Sequence, residues 1–302
     1  MIRNSLLLIL SLALMVSCQS KKGKWSDANF GVPDSLELAA GIQISEEAME
    51  EIVQNVSSPI EMAALIKEIG TPFSIDYLAT TDYVDKYNTS FQMAYILGVF
   101  GADLGYLNIY DKNTQIVDFI TSINKLSDGI KVGQFFDFTT LKRLATSREN
   151  IDSLMYISVN SFNNMDSYLR SNQRGHLSAL MITGIWVEGM YLVTQVAKEN
   201  NNPALYSRIG EQKLNMNNLF LILNAYQSHQ QVKELIDVLN EIKVEFDQVE
   251  ITYEMGDPET VEQDGMITIV QNERSIVHIT DEQMASIISI TEKVRNKLIE
   301  IQ

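Results

Sequence analysis

Cysteine and proline are both scarce in this chain of 302 residues, which contains one cysteine and five prolines. A single thiol excludes an internal disulfide, so the folded part must be stabilised by its hydrophobic core. Few prolines leave long helices uninterrupted, because proline removes a helical hydrogen bond and clashes with the preceding turn. These shortages favour a mainly α fold with a sizeable core.

Basic residues are also few, with 23 Lys and Arg against 39 Asp and Glu, which gives a net charge of −16. Binding to phosphate backbones needs clustered Lys and Arg, so we expect no nucleic-acid partner. The same charge repels an anionic bilayer surface. Any attachment to a membrane must therefore come from a hydrophobic group.

Motifs of catalysis and cofactor binding are missing from the sequence as well. The three histidines, His176, His229 and His278, show no metal-ligand spacing. Glu188 has Tyr191 three residues later, so the Glu-x-x-His signature of di-iron bundles is absent. No nucleophile elbow, glycine-rich phosphate loop or dinucleotide fingerprint occurs. The sequence predicts no metal and no cofactor.

The N-terminus carries an apolar run, Leu6 to Val16, that follows the single cation Arg3 and ends in small residues. This pattern is typical of a secretory signal peptide. The run is too short to cross a bilayer as a helix, which takes about 20 apolar residues. We therefore expect residues 1–17 to be removed on export.

The sequence "MVSC", Met15 to Cys18, resembles the lipobox of bacterial lipoproteins, with Ser17 as the small residue before the cysteine and Met15 where leucine is more usual. The resemblance covers only the first 18 residues. It implies that Cys18 becomes the first residue and carries acyl chains, each buried methylene contributing about 0.8 kcal/mol to membrane binding. The alternative is a free thiol, or one that pairs between chains.

These features predict three regions: a signal peptide (1–17), a lipid-anchored tether (18–44) and a single helical domain (45–302). Gln19 and then lysines follow Cys18, without the acidic run that surface-exported lipoproteins often carry. By resemblance, we expect an extracytoplasmic protein anchored in the outer membrane and facing the periplasm.

Local signals indicate several helices and one small β element. Thr280 with Gln283 forms a capping box that opens the last helix, and Thr146 with Glu149 opens an earlier long one. Two β-branched runs around "QNER" predict a β-hairpin within residues 266–280. The acidic stretch before it, "EMGDPETVEQDG", is interpreted as a loop.

An internal echo relates "AYILGVFGADLGYL", residues 94–107, to "ALMITGIWVEGMYL", residues 179–192, at an offset of 85. The helices that follow, residues 116–126 and 209–219, correspond at an offset of 93, which suggests eight residues inserted in the second connection. We therefore predict a compact pseudo-symmetric bundle of two helical-hairpin repeats, about 89–171 and 174–250. Chance similarity between apolar helices is the alternative.

The echoed first helices are apolar nearly all round, so each must be buried in protein or in lipid. The run from Leu177 to Ala197 is long enough to span a bilayer, but Glu188 at its centre would cost about 2.5 kcal/mol or more there. We place it in the protein core. Small residues spaced three and four apart, Ala94, Gly98, Gly101 or Ala102, and Gly105, predict close approach of the helix around Gly184.

Asp103 and Glu188 occupy equivalent positions in the echo, and Tyr106 and Tyr191 lie one turn later. If the copies pack face to face, the two acids meet, with the tyrosines placed to hydrogen-bond to them. In such a pair, the two carboxyl groups either have well-separated pKa values or together bind a hard cation. The commoner explanation is structural, with the acids satisfied by a hydroxyl, an amide or a lysine such as Lys125 or Lys213.

Function is therefore predicted as a membrane-anchored binding or scaffold module of the cell envelope, with an envelope protein or a small ligand as its partner and no catalysis evident. A metal-binding protein or hydrolase-like enzyme that uses Asp103 and Glu188 is the alternative. An inert spacer is a third possibility, and it would lack a concave pocket.

Overall fold

The computed structural model describes residues 69–110, 112–147, 151–263 and 266–300, together with residues 52, 53 and 66. The predicted signal peptide, Cys18 and the tether lie outside these ranges. The described chain is mainly helical with one two-stranded antiparallel sheet, as the sequence predicts. Its helices are α1 (Ser90–Ile109), α2 (Asn113–Gly129), α3 (Phe138–Ser147), α4 (Ile151–Ser171), α5 (Gly175–Glu199), α6 (Pro203–Ala225), α7 (Gln230–Asp247) and α8 (Asp281–Ile299), and its strands are β1 (Glu250–Gln263) and β2 (Met266–His278).

One of the two predicted helix starts is confirmed. Thr280 and Gln283 form a reciprocal capping box at the start of α8. Thr146, by contrast, lies inside α3, and α4 begins at Ile151. That prediction is wrong because buried Leu141 and Ala145 continue the preceding helix as far as Ser147.

Helix α5 lies at the centre of the core and packs against α1, α4, α6 and α8. Among the described helices it alone is long and apolar enough to cross a membrane, yet 94% of its most apolar window is buried inside the protein. Its hydrophobic surface is therefore covered by other helices. The prediction that it belongs to the protein core is confirmed.

Helices α1 and α5 cross in close contact at Gly98 and Gly184. A Cβ at Gly98 would overlap the carbonyl oxygen of Met181 and lie 2.9 Å from the nitrogen of Ile185. A Cβ at Gly184 would overlap the carbonyl oxygen of Tyr95 and lie 3.0 Å from the nitrogen of Val99. The contact is reciprocal, because each glycine touches the residue three before and the residue one after the other.

The remaining residues of the predicted small-residue strip do not all face α5. Gly101 lies against the ring of Phe162 on α4, and no atom comes within 4 Å of a Cβ placed at Gly105. Of the glycines in the strip, Gly98 alone therefore lies against the backbone of α5. The three- and four-residue spacing correctly predicted that the two helices approach closely, but it overestimated how many residues of α1 take part.

The two helical hairpins, α1 with α2 and α5 with α6, correspond to the echoed segments, but the predicted insertion is misplaced. Both connections are three residues long (110–112 and 200–202). Helix α5 instead runs seven residues past Leu192, where α1 runs two past Leu107, and α6 starts six residues before Ile209, where α2 starts three before Ile116. The extra residues lengthen both helices by about a turn each.

Beyond these hairpins the two predicted copies differ. Residues 89–171 contain four helices and residues 174–250 contain three helices, followed by the start of β1. A two-fold relation between whole repeats thus stays a prediction, and the reciprocal contact at Gly98 and Gly184 is the local feature that resembles it.

The β-hairpin exists, but its turn is not where the sequence predicts it. β1 pairs with β2 from Glu250 opposite His278 to Gln263 opposite Met266, with a bulge between Met255 and Pro258. "QNER" lies inside β2, and most of the acidic stretch expected to be a loop forms β1. The missed signal is the Asp-Gly dipeptide at 264–265, which favours a two-residue hairpin connection.

The crossing predicts opposite effects for glycines on the same two helices. Gly98→Ala or Gly184→Ala should lower the free energy of unfolding by about 3 kcal/mol, because the added methyl group meets rigid backbone. Gly105→Ala and Gly189→Ala, which have open space, should raise it by about 0.5–1 kcal/mol through helix propensity. Urea denaturation followed by circular dichroism measures all four, and equal effects at Gly98 and Gly105 would contradict the close crossing.

Candidate functional site

Asp103 and Glu188 meet just beyond the α1–α5 crossing, five residues after Gly98 and four after Gly184. Their side chains are in hydrogen-bond contact, and both residues are 0% exposed. The pair expected from the echo is therefore present, and it lies in the core rather than at a surface.

Arg295 of α8 clamps Glu188 from the other side. Its Nε donates to Oε2 of Glu188 at 2.8 Å, and its Nη2 donates to Oε1 at 2.6 Å. This two-pronged geometry is the strongest arrangement that arginine makes with a carboxylate. The side chain of Arg295 is only 6% exposed, so the ion pair is screened little by solvent.

The segment before α1 completes the cluster. The backbone N–H of Ala79 donates to Oδ2 of Asp103 at 3.1 Å, and Nη2 of Arg295 also donates to the carbonyl oxygen of Tyr77 at 3.4 Å. Residues 77–79 and helix α8 are thus both tied to the two acids on α1 and α5.

The two echoed tyrosines do not hydrogen-bond to the acids, which corrects that expectation. Tyr191 instead presents its ring to Arg295, whose guanidinium carbon lies 4.2 Å from the ring centre. Tyr106 accepts a hydrogen bond from the N–H of Ser74 and packs in an aromatic group with Phe73 and Tyr110. Tyr191 therefore contacts the cluster of Asp103, Glu188 and Arg295 through the face of its ring. Tyr106 belongs to a separate, aromatic cluster.

The surroundings of Asp103 favour its protonated form. Burial raises the pKa of Asp103 well above its usual range, and the charge of Glu188 raises it further, whereas Arg295 and the N–H of Ala79 act in the opposite direction. Within the part of the chain that the structure describes, Oδ1 of Asp103 has no hydrogen-bond partner. A proton on Asp103 supplies the missing donor and bonds to Glu188.

Glu188 is the ionised member. Burial also raises the pKa of Glu188, but the charge and hydrogen bonds of Arg295, and the hydrogen bond from Asp103, oppose the shift. The same attraction raises the pKa of Arg295, which stays charged. The cluster thus contains one carboxylate, one guanidinium and one neutral carboxyl group, and its net charge is zero.

Other buried polar atoms surround this charge. Burial and the charge of Glu188 raise the pKa of Tyr95, whose hydroxyl group has no hydrogen-bond partner in the part of the chain that the structure describes. Thr291, one turn before Arg295 on α8, is also fully buried, and its hydroxyl oxygen likewise has no partner there. The interior around the acids is therefore polar as well as buried.

The two lysines suggested as partners lie elsewhere. Lys125 pairs with Asp85 at the surface, and Lys213 donates to the backbone carbonyls of Asp247 and Val249. Sequence reasoning missed Arg295, although a signal was present. Arg295 continues a stripe of buried residues on α8 at three- and four-residue steps: Met284, Ile287, Ile288, Thr291 and Val294. A cation on such a stripe indicates a buried partner.

The histidines show a contact that their spacing in sequence does not reveal. The rings of His176 and His229 stack with their centres 4.2 Å apart, while His278 lies 2.8 Å from the hydroxyl of Thr252. Burial, His229 and Arg174 lower the pKa of His176. Within the described residues, no group of three or more His, Cys, Asp or Glu is placed to hold a metal ion.

A concave feature lies at the surface near the end of α5. This open cleft has a volume of about 430 Å³ and is lined mainly by residues of α5, α6 and α8. Glu292 lies on its wall and accepts hydrogen bonds from Lys198 at 3.2 Å and Gln195 at 3.4 Å. Ile288 and Ala197 supply apolar lining. The volume is within the range of small-molecule sites.

No protein-family model, curated protein or solved structure significantly matches this chain. The features that bear on function are therefore the geometry of the site and the N-terminal motif.

The carboxyl cluster has a structural role. An enzyme or metal protein based on Asp103 and Glu188 needs these groups to meet a substrate or a cation, but both are fully buried. Arg295 already neutralises Glu188, and burial beside Glu188 raises the pKa of Asp103, which favours its neutral form. The arrangement binds α1, α5 and α8 to one another and leaves no charge for a ligand.

Substitutions of the two acids should have unequal effects, although their positions in the echo are equivalent. Glu188→Gln leaves the buried guanidinium unpaired and should lower the free energy of unfolding by about 3–5 kcal/mol. Asp103→Asn keeps the shape, and its amide donates to Glu188 as the carboxyl does, so the loss should stay below about 1 kcal/mol. Urea denaturation at pH 7 compares them; an equal loss would contradict the assigned protonation.

The raised pKa of Asp103 also predicts a pH dependence with a definite sign. The folded state binds this proton more tightly than the unfolded chain, whose aspartates titrate near pH 4. The stability advantage of the wild type over Asp103→Asn should therefore be full below about pH 4 and fall as pH rises, by up to ~1.4 kcal/mol per pH unit. Denaturation curves between pH 4 and pH 8, which lie in that window, measure the difference.

Asp137 provides a control of opposite sign. Hydrogen bonds from Thr140 lower the pKa of Asp137. The advantage of the wild type over Asp137→Asn should hence grow with rising pH in the range below about 4 and stay constant above it. If both variants showed the same slope, the trend would belong to the whole protein rather than to the buried pair.

Proposed function

We propose that this protein is a bacterial lipoprotein held at the membrane by an acylated Cys18, with its helical body on the extracytoplasmic side. The support is the short apolar run before "MVSC" and the position of Cys18 as the only cysteine. The net charge of −16 opposes an electrostatic hold on an anionic bilayer, so acyl chains have to supply the affinity. By the same resemblance, the absence of an acidic run after Cys18 favours the outer membrane, facing the periplasm.

We further propose that the body acts by binding, as a scaffold or a receptor in the envelope, rather than by catalysis. The observation that carries this part is the full burial of Asp103 and Glu188, because the sharpest candidate for chemistry is occupied in holding three helices together. The open cleft beside Glu292 favours a binding module over an inert spacer, since a spacer needs no concave surface.

Lipidation is tested on Cys18 directly. Cys18→Ala should abolish labelling of the protein by an alkyne fatty acid in growing cells and should move the chain from the membrane to the soluble fraction. Ser17→Ala is the matched control, because alanine is also small and preserves the motif. Full labelling of Cys18→Ala, or a soluble wild-type protein, would contradict the anchor.

Binding is tested on the full chain recovered from envelopes. Native mass spectrometry after mild detergent extraction should detect a stoichiometric small molecule, or cross-linking before lysis should join the chain to a specific envelope protein. Recovery of the chain with neither, in both experiments, would contradict a binding function and favour a spacer.

A further inference from the structure

The open cleft at the surface of the helical body follows one face of α8. Its described lining takes five residues from that helix: Asp281, Ala285, Ile288, Ser289 and Glu292. The first and the last of them are eleven residues apart, which is about 16 Å along a helix at ~1.5 Å per residue. Because the volume of about 430 Å³ extends over this length, the cleft is a narrow groove.

The groove carries no charge between its two ends. Ile288 of α8 and Ala197 of α5 are buried beneath it, while Ala285 and Ser289 are small and exposed. Tyr206 of α6 is half-buried and adds an aromatic ring to the lining. Such a surface suits an aliphatic chain, because apolar and small side chains lose little when a methylene group covers them.

Each end of the groove carries one carboxylate. Asp281 is exposed at one end, and within the described residues its side chain has no hydrogen-bond or ion-pair partner. Glu292 at the other end accepts hydrogen bonds from Lys198 and from the buried Gln195. With Lys198 paired to Glu292, the charge left unmatched in the lining is that of Asp281.

The contact between Lys198 and Glu292 shows which ligand group that end of the groove accepts. Nζ of Lys198 is a primary ammonium group at the end of an alkyl chain, and it lies 3.2 Å from Oε2 of Glu292. The lysine side chain is 56% exposed, so the ion pair holds it only weakly. The ammonium group of a ligand can therefore replace Nζ while Lys198 turns into solvent.

We propose that the groove binds a linear polyamine, an alkyl chain with ammonium groups at both ends. This inference rests on the proposed binding function and names the ligand class of the cleft. One terminal ammonium group pairs with Asp281, and the other replaces Lys198 on Glu292. The alkyl chain between them covers Ala285 and Ile288. The net charge of −16 attracts polyvalent cations to the protein and raises their concentration at the groove.

The test is isothermal titration calorimetry on the full chain in a non-ionic detergent, at about 0.15 M salt so that distant charges are screened. Spermine is long enough to span the groove and should bind saturably, with one molecule per chain. Putrescine is a shorter diamine that reaches one carboxylate at a time. At equal total charge it should bind at least about tenfold more weakly, because its two contacts are not made together. No saturable binding of spermine, or equal binding of both amines, would overturn the inference.

Two neighbouring acids in the first turn of α8 locate the binding. Asp281→Asn removes the unpaired carboxylate from the groove and should weaken spermine binding about tenfold. Glu282→Gln is the matched control, because Glu282 is exposed in the same turn but is not among the residues that line the cleft. Its effect should stay below about twofold. Equal losses in both variants would mean that only the charge at the start of α8 matters, and would overturn the proposal.

Removal of the internal competitor should have the opposite effect. Lys198→Met keeps a long side chain but releases Glu292, so spermine should bind about threefold more tightly or better. Lys297→Met changes the net charge equally and releases Glu241 on α7 from one of its ion pairs, away from the cleft. This control should leave the affinity within about twofold of the wild type. An unchanged or lower affinity in Lys198→Met, or an equal gain in both variants, would contradict the proposal.

Native mass spectrometry of the chain extracted from envelopes separates this inference from the proposed function. If the chain carries a polyamine that Asp281→Asn loses, both are supported. If it carries a different stoichiometric molecule, or is cross-linked to a partner, while spermine shows no saturable binding, the binding function stands and the polyamine inference falls. If it carries neither and spermine does not bind, both fall.

Discussion

The close crossing of α1 and α5 at Gly98 and Gly184 is the constraint on which the rest of the core depends. With no side chain at either position, backbone meets backbone, and the acids one turn later come within hydrogen-bond reach across the crossing. A wider spacing would leave the short Asp103 unable to reach Glu188. The crossing thus decides both the packing of the central helix and the chemistry of the buried cluster.

The cluster built on this crossing favours specificity more than stability. Burying an ion pair costs desolvation that its attraction barely repays, so apolar residues of similar shape are often as stable. What the charges add is a unique partner: Arg295 fits Glu188 in one register of α8, and Ala79 fits Asp103 in one position of the preceding loop. Segments more than 200 residues apart in sequence are thereby docked at one point.

The sequence predicts those features that an internal echo or a local pattern marks. The pairing of the helices around Gly98 and Gly184 and the meeting of Asp103 with Glu188 follow from the echo, and the capping box at Thr280 follows from spacing within one short segment. The contact of Arg295 with Glu188 spans 107 residues. The buried stripe on α8 marks Arg295 as a cation that needs a buried partner, but no local rule identifies that partner as Glu188. The hairpin turn was misplaced because polarity at "QNER" outweighed the Asp-Gly signal, and the eight extra residues were assigned to a loop because helix length is not marked in sequence.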